Sequence, residues 1–365
     1  MPSPIPVVVL AGTDAVDLDV AASGILCDVE GFVALRLELD RGAGPGEPAD
    51  VDTLSWAAAD LAGLVARGGG SVRRDCTACC VRESVTDLLE QLHAAGRWRG
   101  CVVALPPGVE PLSLALRLSR GCSADGPLPD RFALRHVVAV VSDDPTARLL
   151  EGGPEEEGGP RTRSEILAAQ VESSDTVVLA RDATPTDESL LRHLARHDAG
   201  LVRGLSHLDG RELFRRGHDI TRTLAHADPR TCRASGALDV ADVVTVEVAT
   251  WKPFHPDRLL ARLEHLAMSR ARCRGAFWLP GRPDVTLVLD ATGGSISIGS
   301  GGDWRGRARC SRLVVTCHAA WAQELRSVLE AAVMTDAELV HGLDAWADRS
   351  DGFEAWVGRR AGDRG

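Results

Sequence analysis

Four short runs of this chain are apolar on both faces: residues 7–10 (VVVL), 101–105 (CVVAL), 137–141 (VVAVV) and 176–180 (TVVLA). A strand with apolar residues at alternate positions needs one covered side, whereas a strand apolar throughout must be covered on both. Segments of helical periodicity fall between these runs at 14–26, 84–95, 111–118 and 163–171, and 54–67 reads the same way. Doubly apolar strands alternating with helices predict an α/β domain on a parallel sheet. Residues 151–161, EGGPEEEGGPR, cannot build a core and read as an exposed loop.

A different order begins near residue 241. Periodicity fades over 217–240, predicting a linker with at most one short helix. Beyond it come a strand at 243–249, a helix at 258–267, strands at 275–279, 285–289, 295–298 and 313–317, and a helix at 321–333. This β-α-β-β-β-β-α order predicts a smaller α+β domain with helices on one face of an antiparallel sheet. The expected division is 1–216, a linker at 217–240, and 241–365.

Composition excludes several functions. A net charge of −11 removes generic attraction to nucleic-acid phosphates and leaves room only for a local arginine patch. The basic residues are 40 Arg and a single Lys, Lys252, so lysine chemistry anywhere else is excluded. No apolar run approaches the roughly 18 residues of a membrane span. The first residues lack a basic segment and cleavage site, so a cytoplasmic location is expected. In that setting the ten cysteines read as thiols rather than a disulfide framework. No Ser-His-Asp arrangement can be assigned, and the carboxylates form no distinctive pair.

Three cysteines cluster: Cys76, Cys79 and Cys80, in a CxxCC pattern just before a helix expected from about Ser84. Two thiolates two residues apart in a turn can reach one tetrahedral ion at a Zn–S distance near ~2.3 Å, and a third leaves one position open. The positive end of the following helix favours thiolates. Zinc binding, thiol–disulfide exchange and inert cysteines all fit the spacing.

Several stretches resemble a known family. WKPFHPDRLLARLE from Trp251, RGAFWLPGRPD from Arg274, GGDW from Gly301, LVVTC from Leu313 and TDAEL from Thr335 resemble the C-terminal domain of CobW-type proteins. Those are P-loop GTPases concerned with metal delivery, zinc metallochaperones among them. CTACCVRESVTDLLEQL from Cys76 and ILAAQVESSDTVVLA from Ile166 resemble the family's cysteine motif, usually CxCC, and the segment leading to its guanine-recognition motif. The resemblance implies a P-loop-NTPase-like sheet domain followed by a smaller CobW C-terminal-like domain, with Zn²⁺ bound by Cys76, Cys79 and Cys80.

The family's GxxxxGK[ST] would open at Gly12, but Asp17, Leu18 and Asp19 stand where Gly, Lys and Ser/Thr belong, and Asp14 adds a third carboxylate. Carboxylates at a helix start occupy and repel the place of a phosphate. Similarly ExxG becomes LPPG, with Leu105 for the acid and Gly108 kept, and NKxD becomes Ala180-Arg181-Asp182-Ala183. GTP and Mg²⁺ are therefore not expected to bind tightly, and the chain reads as an adaptor rather than an enzyme. The cysteine spacing and lost motifs look most like an actinobacterial branch implicated in zinc starvation and recruitment of a ribosome hibernation factor. That implies a protein partner, such as the hibernation factor or a zinc client, with neither direct nucleic-acid nor membrane binding. The alternatives are a GTP-dependent zinc metallochaperone with an atypical site and a structural paralogue that binds neither ligand.

Weaker signals have ordinary explanations. His193 and His197 share a face of an expected helix at 187–197, a spacing that suits a metal, but with Arg192, Arg196 and Asp198 around them they read as a solvated polar face. Cys317-His318 reads as a core cysteine beside a loop histidine, and His255 as shaping a strand-to-helix connection. Cys27, Cys101, Cys122, Cys232, Cys273 and Cys310 read as small buried or incidental thiols; Trp251, Trp278, Trp304, Trp321, Trp346 and Trp356 read by default as core residues, with a partner surface as the alternative for some of them.

Overall fold

The computed structural model describes residues 3–40, 51–73, 77–123, 126–150, 161–268, 270–347 and 349–358. The expected loop at 151–161 lies outside them except for Arg161, and so does Cys76. Contacts divide the chain into two compact units whose segments interleave: Met1–Asp144, Ala169–Ala183 and Asp198–Leu224 in the first, Pro145–Ala168, Thr184–His197 and Ala225–Gly365 in the second.

The first unit is an α/β domain. Its elements run β1 (Ile5–Gly12), α1 (Ala15–Asp28), β2 (Phe32–Asp40), β3 (Val51–Asp60), β4 (Gly63–Arg73), α2 (Thr77–Ala95), β5 (Gly100–Ala104), α3 (Leu112–Arg120), the two-residue strands β6 (Cys122–Ser123) and β7 (Gly126–Pro127), and β8 (Phe132–Val141). Further along the chain, β9 (Thr176–Leu179), β10 (Gly200–Arg203), α7 (Gly210–Arg215) and most of α8 (Ile220–Ala227) belong to this unit, whereas α4 (Pro145–Leu149), the first part of α5 (Arg163–Glu172) and α6 (Pro185–Leu194) fall in the second. The sheet order is β10-β9-β8-β1-β5-β2-β3-β4. All pairs from β10 to β2 are parallel, and β2, β3 and β4 pair antiparallel.

The both-faces-apolar reading of β1 is met literally. Val7, Val9 and Ala11 join a core with Val81, Val85 and Leu89 of α2 and Leu114 and Leu118 of α3. Val8 and Leu10 point the other way, to Leu18, Ala22 and Ile25 of α1 and Leu213 of α7. The expected helix at 54–67 is wrong: this segment is the β3–β4 hairpin. Its turn is set by Asp60, whose carboxylate accepts the Ala62 amide at 2.9 Å, and by Gly63 at φ +124°. Strand β4 passes beneath an aromatic ring, since a Cβ on Gly68 would stand 2.8 Å from Trp56.

The second unit holds β11 (Val243–Thr250), α9 (Pro256–Met268), β12 (Ala271–Phe277), β13 (Val285–Thr292), β14 (Ser295–Asp303), β15 (Ser311–His318) and α10 (Ala319–Ala332). These are the elements and order the sequence predicts. The strands form an antiparallel sheet ordered β11-β15-β12-β13-β14. One face is apolar: Cys273, Leu287, Leu289, Leu313, Val315 and Cys317 pack with Leu259 and Leu263 of α9 and Leu325 and Leu329 of α10. Burial pushes the thiols of Cys273 and Cys317 up to about 12 and about 11, so both stay protonated core residues.

The alternate residues of these strands, including Thr245, Glu247, Arg272, Arg274, Thr286, Arg312 and Thr316, make the opposite face polar. Helix α6 packs against that face at β11 and β15. His193 is consequently buried, with Nδ1 at 2.9 Å from the Thr245 hydroxyl, and burial lowers its pKa. The expected solvated His193/His197 face is therefore incorrect: α6 ends at Leu194, and His197 lies exposed beyond it. Trp278 is buried as expected, whereas Trp251, Trp321 and Trp356 are exposed.

The family-like segments around α9 tie the second unit together. Arg258 donates to both Glu338 oxygens at 2.6 and 2.9 Å and to the Val333 carbonyl at 3.0 Å. Glu338 closes a capping box with Thr335. The Arg258 guanidinium, with these caps, holds the Glu338 carboxyl down at about 2. Lys252 pairs with Asp336 at 2.7 Å. The single lysine is thus engaged within TDAEL.

Candidate metal centre and the first strand-to-helix junction

Helix α2 begins at Thr77, seven residues earlier than the sequence suggests. Cys79 and Cys80 therefore sit in its first turn rather than in a turn preceding it. Adjacent residues on a helix diverge by about 100°, and the two sulfurs have different surroundings. Cys80 is half-buried against the α2–α3 core, a free thiol whose sulfur lies 3.8 Å from the Arg73 carbonyl. Cys79 is disulfide-bonded. Among the described residues no group of three His, Cys, Asp or Glu side chains has metal-holding geometry. The donor chemistry of Cys79 and Cys80 suits a thiophilic ion at a helix N-terminus, but a sulfur in a disulfide must first be reduced.

The junction of β1 with α1 is filled by the protein's own groups. Asp14 is the N-cap of α1, accepting the amides of Val16 at 2.9 Å and Asp17 at 3.0 Å. Those amides are the donors a phosphate would use. Leu18 is buried in the core, and Asp19 pairs with Arg36 at 3.2 Å. Asp17 pairs with Arg181 at 3.4 Å, so a residue of the ARDA segment supplies the charge that neutralises a carboxylate of the first turn. Gly12 is bonded through its carbonyl to the Gly108 amide at 2.9 Å and the Gln170 side chain at 3.2 Å.

Gln170 also donates to the Val109 carbonyl at 3.0 Å and is buried, so helix α5 ties the end of β1 to the loop after β5. Neither Gln170 nor the Asp17–Arg181 pair is legible in a single sequence, because the partners lie far apart along the chain and belong to no shared motif. At Gly12 there is no room for a side chain, since a Cβ would stand 2.7 Å from the Val140 carbonyl oxygen. Gly12→Ala is expected to lower stability by about 1–3 kcal/mol through the backbone shift it forces. An unchanged thermal melting midpoint would show that the strand yields freely.

Residues 243–333, from β11 through α10, match the family model of the cobalamin synthesis protein cobW C-terminal domain. An α/β domain is thus followed in this chain by a domain similar to the cobW C-terminal domain. It is 32% identical over 244 residues to zinc chaperone Rv0106 of Mycobacterium tuberculosis (H37Rv), a match covering 63% of this chain and 58% of the relative. An uncharacterized protein of Mycobacterium bovis, Mb0109, matches to the same extent. The match thus spans 58% of the length of these curated relatives. Among solved structures, the Zn(II)-bound YjiA GTPase from E. coli is similar with a TM-score of 0.36 and 17% identity, covering 91% of this chain and 99% of that one. No helix among the described residues is long and apolar enough to cross a membrane.

Proposed function

We propose that this chain is a zinc-binding CobW-like adaptor that holds Zn²⁺ through Cys76, Cys79 and Cys80 and acts through protein contacts without a nucleotide cycle. The observation that carries the reading is the filled β1–α1 junction, where Asp14 and the Asp17–Arg181 pair occupy the helix start that would receive phosphates. Cysteines in the first turn of a 19-residue helix and a relative named as a zinc chaperone support the metal assignment. Zinc is cargo or signal here, and the disulfide at Cys79 makes loading depend on reduction. The client is a protein of the zinc-starvation response, with the hibernation factor as the partner to test by copurification under zinc depletion.

Two measurements test this reading on the full chain. Chelator competition is expected to find tight zinc binding in the reduced protein and weak binding after oxidation. GTP turnover with Mg²⁺ and zinc is expected to stay at the level of an Asp17→Arg control. Turnover above that control would make the protein a GTP-dependent metallochaperone instead.

A further inference from the structure

The polar face of the antiparallel sheet carries a concave pocket of about 310 Å³. Five arginines line it, Arg230, Arg233, Arg305, Arg307 and Arg312, against one lining carboxylate, Asp303. Two further carboxylates pair with these arginines. Asp228 holds Arg230 in contacts of 3.0 and 2.6 Å, while Glu247 is shared by Arg312 at 3.4 Å and Arg233 at 3.8 Å. Counting both still leaves an excess of two positive charges, in a chain whose net charge is −11.

The arginines at the rim are the least committed. Arg307 makes no ion pair within 4.0 Å among the described residues, its charge acting only at longer range on Asp228, and Arg305 meets Asp303 only at 3.8 Å with both side chains open to solvent. Such exposed pairs yield readily to a competing anion. Arg305 also stands at φ +46°, a left-handed backbone that non-glycine residues seldom adopt. The turn presenting it is closed by the Arg305 amide on Asp303 at 3.0 Å and the Arg307 amide on the Trp304 carbonyl at 2.8 Å. Trp304, also in the wall, is anchored through Nε1 on the Pro283 carbonyl at 3.1 Å.

We propose that this pocket binds a small phosphorylated molecule of nucleotide size, with its phosphates taken by Arg233, Arg305, Arg307 and Arg312 and a flat ring against Trp304. Guanidinium forks match phosphate oxygens in geometry and charge. The volume sits at the small end of the roughly 300–1,000 Å³ range of ligand pockets. An extended nucleic-acid strand needs a groove that follows several phosphates, whereas a single pocket of this volume takes one small molecule. The site shares no residue with the β1–α1 junction or with Cys76, Cys79 and Cys80, and it stands whether or not the zinc reading does.

The test is calorimetric titration of the EDTA-treated full chain with ADP, inorganic pyrophosphate and a single-stranded ten-nucleotide RNA. ADP is expected to bind one to one, more tightly than pyrophosphate, with affinity falling as salt rises. The R233S/R307S variant should weaken ADP binding at least tenfold. R215S/R216S, which removes the same charge from the C-terminal end of α7 and its cap, should leave it unchanged. Arg305→Gly suits the left-handed backbone, so it should fold as stably as the parent and still lose affinity. ADP binding that is equal in R233S/R307S and the parent overturns the proposal. So does RNA binding without ADP binding, and so does pyrophosphate matching ADP, which would remove the ring contact. Nucleotide bound at the β1–α1 junction would be insensitive to the pocket variants, so the two readings fail separately.

Discussion

Replacing Cys76, Cys79 and Cys80 together with serine is expected to weaken zinc binding by at least about a thousandfold. A serine hydroxyl stays protonated at neutral pH and is a harder donor than a thiolate, so it does not replace the Zn–S bond. A thousandfold loss is about 4 kcal/mol. Thiolate-rich structural sites bind zinc with roughly 10–16 kcal/mol, so losing three sulfurs accounts for that change comfortably. Competition with a chromophoric chelator, on protein reduced beforehand because Cys79 is disulfide-bonded, gives the number directly. Affinity should also rise with pH, because each thiol must lose its proton to bind metal.

The fold of the triple variant should survive. Cys79 and Cys80 lie in the first turn of α2, whose hold on the core comes from Val81, Val85, Leu88 and Leu89 further along. Cys80 contributes a partly buried contact and a weak donation to the Arg73 carbonyl, which a serine hydroxyl retains in kind. Unchanged zinc affinity in a folded triple variant would mean that the cysteines serve thiol exchange or nothing, and that the metal, if it binds, binds elsewhere.

What was legible in the sequence follows from the range of the forces involved. Strands such as β1 and β9 show themselves because burial on both faces demands an unbroken apolar run, a local property. The order of strands and helices over 243–333 is readable for the same reason, since the apolar face of that sheet repeats every second residue, whereas the interleaving of 145–168 and 184–197 with the second unit is not. The segment at 54–67 was not. Leu54, Ala57, Ala58, Leu61 and Leu64 repeat at helical spacing and include strong helix formers, yet pairing of β3 with β2 overrides that preference. Only Gly63 and the run at Gly68–Gly70 hinted at a hairpin.

At the site, the loss of the P-loop residues was plain in the sequence, but what replaced them was not. The pairing of Asp17 with Arg181 and the bridging by Gln170 are long-range contacts without a motif. The same limit holds for the arginine pocket. Arg305, Arg307 and Arg312 are visible as a run, while their convergence with Arg230 and Arg233 depends on which face of the sheet each one takes.

Asp351→Ala is expected to destabilise the second unit by about 3–5 kcal/mol, a large share of the roughly 5–15 kcal/mol that holds a typical domain folded. Asp351 is 2% exposed and Arg282 6% exposed. They meet at 2.6 and 3.2 Å, and Arg282 spends a further donor on the Gly358 carbonyl at 2.8 Å. Asp351 also accepts the amide of Phe353, a fully buried ring that packs on Phe277. Truncating the carboxylate leaves a buried guanidinium without its counter-charge, and that uncompensated charge is the main cost. The pair therefore matters more when broken than when replaced. A double variant, Arg282→Met with Asp351→Leu, should recover most of the loss, because it removes both charges from the core. Denaturation of the parent, both single variants and the double closes the cycle. If Asp351→Ala melts with the parent, the C-terminal segment is not held by this pair; if the double variant is as unstable as Asp351→Ala, the segment depends on the ion pair's geometry rather than on charge balance.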